Sequence, residues 1–131
     1  MIQAMNLALD AAGVTASEIG YVNAHGTGTP QNDRVEALAL SRVFREGGVL
    51  VSSTKSMVGH TMAAAGTLEA VATLLALQHS VIPPTATLRQ LDPDVPFDCV
   101  PGVARPASIE VALSNSFGFG GQNVSLVFRK G

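Results

Sequence analysis

The segment from Met62 to Leu77 contains one charged residue, Glu69, and is otherwise rich in alanine, leucine and valine. A helix that is apolar on nearly every face must be covered on every face, so the pattern predicts a buried helix. The segment is too short and too interrupted to span a bilayer. A buried carboxylate needs a cation or several hydrogen-bond donors, and we expect Lys55 or a bound metal ion to compensate Glu69.

The rest of the chain predicts alternating helices and strands. Three helices are expected, over 2–12, 34–44 and 60–78. Gly13 is expected to stop the first, and Gly47 and Gly48 the second. The third places His60 at a helix N-terminus. Strands are expected over 19–24, 49–53, 110–116 and 123–129, the last two forming a hairpin-like pair. Residues 81–85 are expected to be extended, and 91–106 to be loop. This order predicts an α/β layer structure.

The composition of the chain limits the partners and the compartment that we expect for it. Charged residues make up 14% of the chain, against about 25% in typical soluble domains, which indicates a surface that a partner covers. The net charge of −2 with scattered basic residues argues against a nucleic-acid partner. The single cysteine, Cys99, fits a reducing compartment, and the N-terminus lacks the basic region of a signal peptide. We therefore expect a cytoplasmic protein without a membrane partner.

A polar segment, "NAHGTGTPQNDRVE", covers residues 23–36. His25 follows a predicted strand, and loops at strand ends are where α/β proteins build their sites. Three other readings stay open at this point. His25 can be a structural histidine, "GTGTP" can be a turn that lacks the lysine of a phosphate-binding loop, and His25, His60 and Cys99 can be zinc ligands, although their spacing does not favour that.

Three segments together resemble one family. "NAHGTGTPQND", "SSTKSMVGHTMAAAG" and "NSFGFGGQN", in this order and spacing, are similar to the C-terminal half of an elongating, type II-like β-ketoacyl-acyl carrier protein synthase. The resemblance covers essentially the whole chain. It implies a thiolase-like α/β half-domain over residues 1–131, in which a mixed β-sheet is covered by helices and one central helix is buried.

The resemblance also implies an activity, the decarboxylative Claisen condensation of acyl and malonyl thioesters in fatty acid or polyketide synthesis. His25 and His60 match the two histidines that donate hydrogen bonds to the malonyl thioester oxygen. Lys55 matches the active-site lysine, which orders the network and supports the surroundings of His60. The residues that match substrate-contacting positions are Thr27 and Thr29 on the pantetheine arm and the gate Phe119 with its flanking Gly118 and Gly120.

A polar network behind the site is implied as well, formed by Asn23, Glu36, Glu69, Asn115 and Ser116. The family needs no cofactor, but Asn23, Glu36 and Glu69 match positions that suit a structural monovalent or divalent cation. The implied partners are an acyl carrier protein, which presents acyl or malonyl groups on phosphopantetheine, and either an N-terminal synthase half or further copies of this chain.

The chain departs from the family in lacking a counterpart of the nucleophilic cysteine, which lies in the N-terminal half. Cys99 sits in the proline-rich stretch "FDCVPG" and lacks the small-residue elbow of a nucleophile, so we expect a non-catalytic thiol. Without a nucleophile no acyl-enzyme forms. The chain also begins at a helix where the family has a preceding strand. We therefore expect a fragment or one piece of a split synthase; the alternative is a non-catalytic module that binds acyl groups, pantetheine or a partner subunit.

Overall fold

The computed structural model describes residues 1–45 and 48–131, which form three layers with a β-sheet between helices. The predicted stop at Gly47 lies outside the described residues. The elements, in chain order, are α1 Ile2–Ala12, β1 Ile19–Asn23, α2 Pro30–Phe44, β2 Leu50–Ser52, α3 Lys55–Val58, α4 Ala65–His79, β3 Val81–Ile82, β4 Arg105–Pro106, β5 Val111–Phe117 and β6 Asn123–Arg129.

The main sheet is mixed and has the strand order β2-β1-β5-β6. Strand β1 runs parallel to both β2 and β5, whereas β6 is antiparallel to β5, as the predicted hairpin requires. Asn23, the last residue of β1, pairs with Ser52 on one side and Ser114 on the other. Because the parallel strands end at the same edge, the loops after β1, β2 and β5 meet there.

Side chains that alternate along β1 and β5 build two cores on opposite faces of the sheet. Val22 and Leu113 pack with residues of α1 and α2, including Met5 and Leu40. Their neighbours Tyr21 and Ala112 pack on the other face with Ala76 and Leu77 of α4, so the sheet is covered on both sides. Parallel strands buried on both faces are expected to be apolar; β5 follows this over 111–113, and its buried polar residues begin at Ser114, at the edge where the loops meet.

Helices α1 and α2 begin and end where local chemistry dictates. Gly13 ends α1 in the left-handed conformation (φ 64°), as predicted. Helix α2 begins at Pro30 and not after Asn32 and Asp33, because Thr29 caps it by accepting a hydrogen bond from the backbone N–H of Asn32, and proline suits the first helical position.

The predicted helix over 60–78 is shorter in the structure. Gly59 (φ 75°) ends α3, Met62 (φ 53°) begins a 3₁₀ turn, and α4 starts only at Ala65. The prediction that His60 lies at a helix N-terminus is therefore wrong, since His60 lies in the connection between α3 and the 3₁₀ turn. The predicted loop 91–106 also contains the two-residue strand β4, which pairs antiparallel with β3.

Helix α4 is buried on the face that packs on the sheet and exposed on the other. Glu69, Thr73, Ala76 and Leu77 are buried, whereas Leu68, Val71, Leu74 and Leu75 are each 44–48% exposed. Its exposed side, together with Met57, Val58, Pro83 and Pro84, lines an apolar groove of about 510 Å³. The prediction of burial on nearly every face thus holds for one face in this chain.

Within residues 1–45 and 48–131, no helix combines the length and the apolar character that crossing a membrane requires.

Candidate functional site

The backbone of His25 is fixed by a carboxylate from α2. The N–H groups of His25 and Gly26 donate to Oε1 and Oε2 of Glu36, both at 2.9 Å. Glu36 is 3% exposed, and this burial raises the pKa of its carboxyl group. A carboxylate that holds two successive N–H groups keeps the turn after β1 in one conformation.

The imidazole of His25 is buried against a lysine. His25 is 8% exposed, and burial, followed by the charges of Lys55 and His60, lowers the pKa of His25 to about 4. Lys55 Nζ lies 3.3 Å from His25 Nδ1. An ammonium group can only donate, so Nδ1 accepts and the single proton of the neutral ring is on Nε2.

His60 reaches the same tautomer by a different contact. Its Nδ1 accepts a hydrogen bond from the backbone N–H of Met62 at 3.1 Å, which leaves the proton on Nε2 in the neutral ring. The centroids of the His25 and His60 rings are 5.5 Å apart, and the ring planes are nearly perpendicular. The structure therefore brings together two imidazoles whose Nδ1 atoms are both occupied by protein donors.

A buried ion pair stands behind His25. Lys55 Nζ contacts Glu69 Oε1, and both side chains are almost fully buried. The predicted compensation of Glu69 by Lys55 is confirmed. Burial raises the pKa of Glu69 although the lysine opposes that shift. Besides Glu69, Lys55 Nζ contacts His25, so in this structure Lys55 acts directly on the first histidine; its support of the surroundings of His60 stays a prediction.

Two threonines occupy the loop between His25 and α2. Thr27 Oγ1 and Thr29 Oγ1 are 3.0 Å apart, and the N–H of Thr27 donates to Asn32 Oδ1 at 3.0 Å. Thr29 is exposed and Thr27 half-buried. Both hydroxyl groups thus sit at the surface of the loop that carries His25, where a ligand can reach them.

The glycine-rich loop joins β5 to β6 on the same edge of the sheet. Gly118 donates its N–H to the carbonyl oxygen of Gln122 at 2.8 Å, and Gly120 has a φ of 78° that favours glycine. The side chain of Phe119 is fully exposed. The aromatic ring that lies beside His25 is that of Phe117, with a centroid distance of 6.1 Å.

The polar residues predicted to form one network are connected in two groups, Asn23 and Ser116 with Glu69, and Asn115 with Glu36. Asn23 Nδ2 donates to the carbonyl oxygen of Glu69 and to Thr73 Oγ1. Asn115 accepts from Ser125 Oγ at 2.7 Å and donates to Met5 Sδ, so its contacts are on the α1 side of the sheet. Ser116 faces Gly66, where an added Cβ would lie 3.2 Å from its Oγ.

The three predicted cation ligands differ in what they still offer. The side-chain oxygens of Glu36 hold backbone N–H groups, and Asn23 Oδ1 accepts from Thr54 Oγ1. Among the described residues, Glu69 Oε2 is buried and has no hydrogen-bond partner. Of these three residues, Glu69 is therefore the one whose side chain keeps an oxygen without a hydrogen-bond partner in the described part of the chain.

Cys99 lies in a different environment from these polar groups. It packs beside the core under α1 and α2, and burial raises the pKa of its thiol to about 11, which disfavours the thiolate that a nucleophile needs. No group of three His, Cys, Asp or Glu side chains suited to a metal ion occurs in the described part of the chain.

Comparison with known proteins decides the family. The pattern of the family described as "Beta-ketoacyl synthase, C-terminal domain" matches residues 1–89. The chain belongs to this family. It is also 48% identical to 3-oxoacyl-[acyl-carrier-protein] synthase 2 of Vibrio harveyi over 97% of its own length and 31% of that protein.

Solved ketosynthases share the fold. The ishigamide ketosynthase/chain length factor is 42% identical, with a TM-score of 0.97 over 99% of this chain and 32% of that one. A type II polyketide acyl-carrier protein in complex with its ketosynthase, bound to the hexaketide, is 35% identical, with a TM-score of 0.94 over 99% of this chain and 32% of that one. The fold is thus the thiolase-like fold of ketosynthases, and this synthase domain spans about a third of the relatives it matches.

The structure adds residues that the sequence alone did not single out in this synthase domain. Thr54 and Thr73 contact Asn23, Phe117 lies beside His25, and Ser53 contacts Gly26, the residue after His25. One signal could have found Ser53 and Thr54: "SST" ends a predicted buried strand, and polar side chains there must face hydrogen-bond partners. Thr73 lies four residues after Glu69, one helical turn along α4.

Proposed function

We propose that this chain supplies the malonyl half-site of a β-ketoacyl-acyl carrier protein synthase, but not its cysteine nucleophile. One observation carries the proposal: His25 and His60 lie edge to face with each Nδ1 occupied by a protein donor. Each neutral ring then has one remaining proton, which is on Nε2 and can be donated to a ligand. Two such donors suit a single oxygen on which negative charge develops.

The reaction proceeds in two steps. The bond between the malonyl methylene carbon and its carboxylate breaks, carbon dioxide leaves, and the electron pair forms an enolate whose oxygen accepts from Nε2–H of His25 and His60. The enolate carbon then attacks the acyl thioester carbonyl on a cysteine outside this chain. A carbon–carbon bond forms, the cysteine thiolate leaves, and the β-ketoacyl thioester remains on the carrier.

The Lys55–Glu69 pair serves this chemistry by keeping His25 neutral. A positive charge beside Nδ1 opposes a second proton on the ring, and burial acts in the same direction. Glu69 compensates the lysine, which would otherwise be an unpaired buried charge. Lys55 thus orients His25 and fixes its tautomer.

The exposed part of the site suits the arm of a carrier protein. Thr27 and Thr29 present hydroxyl groups to pantetheine amides, and the Gly118–Phe119–Gly120 segment gates access. The similarity to a ketosynthase solved with its acyl-carrier protein supports a carrier as the partner. The side-chain oxygens of Asn23 and Glu36 are used in hydrogen bonds, so of the three predicted ligands Glu69 alone, through Oε2, would contribute to a structural cation site. The condensation itself needs no cofactor.

The remaining part of a synthase is proposed to cover the exposed face of α4. The relatives extend well beyond the third that this chain spans, and Leu68, Val71 and Leu75 present an apolar surface. In that arrangement residues 1–131 act as the C-terminal domain beside an N-terminal half that carries the cysteine.

The proposal is tested with a hybrid synthase, in which this chain replaces the matching C-terminal 31% of the Vibrio harveyi synthase. The chain alone should give no β-ketoacyl product from acyl and malonyl thioesters, and the hybrid should give product that Cys99→Ser does not reduce. Product from the purified chain that Cys99→Ser abolishes would contradict the proposal. A folded, acylated hybrid that never condenses would favour a non-catalytic acyl- or pantetheine-binding module instead.

A further inference from the structure

The turn that carries His25 touches the end of the neighbouring strand. Ser53, the residue after β2, is 8% exposed, and its Oγ–H donates to the carbonyl oxygen of Gly26 at 2.8 Å. Gly26 has a φ of 40°, and a Cβ added there would lie 2.5 Å from Ser53 Cβ. The turn can approach β2 this closely only because residue 26 is glycine.

Ser53 completes a set of contacts around the peptide units next to His25. Glu36 on α2 accepts hydrogen bonds from the N–H groups of His25 and Gly26, and Ser53, at the end of β2, donates one to the carbonyl oxygen of Gly26. The pairing of β1 with β2 continues up to this point, since the N–H of Ala24 donates to Ser52 at 2.9 Å. The backbone of His25 is therefore held by a helix on one side and a strand end on the other.

Ser53 is itself held in place. Its N–H donates to Thr85 Oγ1 at 3.1 Å. The N–H of Thr85 donates to the carbonyl oxygen of Val100 at 2.9 Å, and its carbonyl oxygen accepts from Gly102 at 3.2 Å. A continuous series of hydrogen bonds thus connects the extended segment after β3 with the turn that carries His25.

We propose that Ser53, held by Thr85, is a positioning residue that sets the direction of His25 Nε2 during malonyl decarboxylation. The inference rests on the proposed function of His25. Ser53 makes no contact with the imidazole, so it acts through the Gly26 carbonyl group and the turn. Reacting groups tolerate little displacement, because a shift of about 1 Å can reduce a rate about 100-fold.

The experiment separates the two half-reactions of the hybrid synthase. Malonyl-carrier decarboxylation and acyl transfer to the cysteine are each measured for Ser53→Ala. Ser41→Ala is the matched control, since Ser41 Oγ also donates to a backbone carbonyl at 2.8 Å, but within α2. We expect kcat for decarboxylation to fall about ten-fold or more in Ser53→Ala, with KM and the acylation rate unchanged, and neither half-reaction to change in Ser41→Ala.

Thr85 provides a second, milder pair. Thr85→Val removes the acceptor for the Ser53 N–H and keeps the side-chain volume, whereas Thr85→Ser keeps the acceptor. Decarboxylation should fall in Thr85→Val and be restored in Thr85→Ser. This pair decides the question if Ser53→Ala does not fold.

Two results would overturn the inference: equal decarboxylation by Ser53→Ala and Ser41→Ala, or an equal fall of both half-reactions, which would indicate a general structural role. The variant His25→Ala separates this failure from that of the proposed function. If His25→Ala decarboxylates normally, the proposed function is wrong; if it is inactive while Ser53→Ala is normal, only the positioning role is wrong.

Discussion

At the residue scale, Glu69 and His60 serve different purposes although both belong to the site. Glu69 is 2% exposed and paired with Lys55, whereas His60 is exposed and its ring accepts a hydrogen bond from the N–H of Met62. Removing one member of a buried pair leaves an uncompensated charge, while a donor at an exposed site can be replaced by water. Stability should therefore depend on the first residue and chemistry on the second.

The corresponding prediction compares Glu69→Gln with His60→Ala in the hybrid synthase. Glu69→Gln should lower the free energy of unfolding by roughly 3–5 kcal/mol, because Lys55 stays buried without its carboxylate. His60→Ala should cost about 1 kcal/mol or less and abolish decarboxylation. Denaturant unfolding and the decarboxylation rate measure the two effects. A Glu69→Gln variant that unfolds like the wild type while His60→Ala collapses would reverse the assigned roles.

A second prediction at this scale concerns the ionisation of His25. Its pKa is about 4, against an ordinary value of 6.5, owing to burial and to the charge of Lys55. The double variant Lys55→Met/Glu69→Gln removes that charge without leaving a charged partner, which favours the imidazolium form. The pKa of His25 should therefore rise but stay below 6.5, because the ring remains buried.

Nitrogen NMR of labelled histidine in the hybrid measures this pKa, and the signal missing in His25→Gln identifies the residue. A wild-type His25 that titrates near 6.5, or a pKa that does not rise in the double variant, would show that Lys55 does not control its protonation.

At the element scale, helix α4 shows what an apolar pattern can and cannot predict. Its existence, its buried face and the need of Glu69 for a cation follow from the residues alone. The residue at which the helix starts does not follow from the residues alone. Gly59 and Met62 adopt positive φ values that end α3 and delay the start of α4. The outer face is apolar as well, yet Leu68, Val71, Leu74 and Leu75 are each 44–48% exposed, so an apolar pattern alone does not say which face of the helix this chain buries.

The outer face of α4 should make the isolated chain self-associate. Leu75 is 47% exposed and Leu77 is 2% exposed on the same helix, which provides a matched pair of substitutions. Leu75→Ala should weaken self-association without loss of stability, whereas Leu77→Ala should destabilise the fold by roughly 2–5 kcal/mol. Sedimentation velocity and thermal unfolding measure these effects. A wild-type chain that remains a monomer at high concentration would contradict this account of the face.

At the scale of the whole molecule, strand direction assembles the site. The sequence predicts two strands, over 19–24 and 49–53, which in the structure end one residue earlier, at Asn23 and Ser52. Their parallel pairing brings His25 and Lys55 together. The contacts of Glu36 and Ser53 with the turn after β1 could not be predicted. They join different elements of the fold through backbone N–H and carbonyl groups, which every residue has, so the sequence does not mark them. Phe119 was identified by its motif, whereas Phe117 lies beside His25 because of the register of β5.

Intact-mass measurement of the hybrid synthase tests most directly whether this chain provides the malonyl half-site while the acyl group is held elsewhere. The hybrid is first acylated from a carrier and then given malonyl-carrier. We predict an acyl adduct on the Vibrio harveyi part that disappears with malonyl-carrier, and in His25→Ala/His60→Ala an adduct that forms and persists. An adduct on Cys99, or normal loss of the adduct in the double variant, would contradict the account.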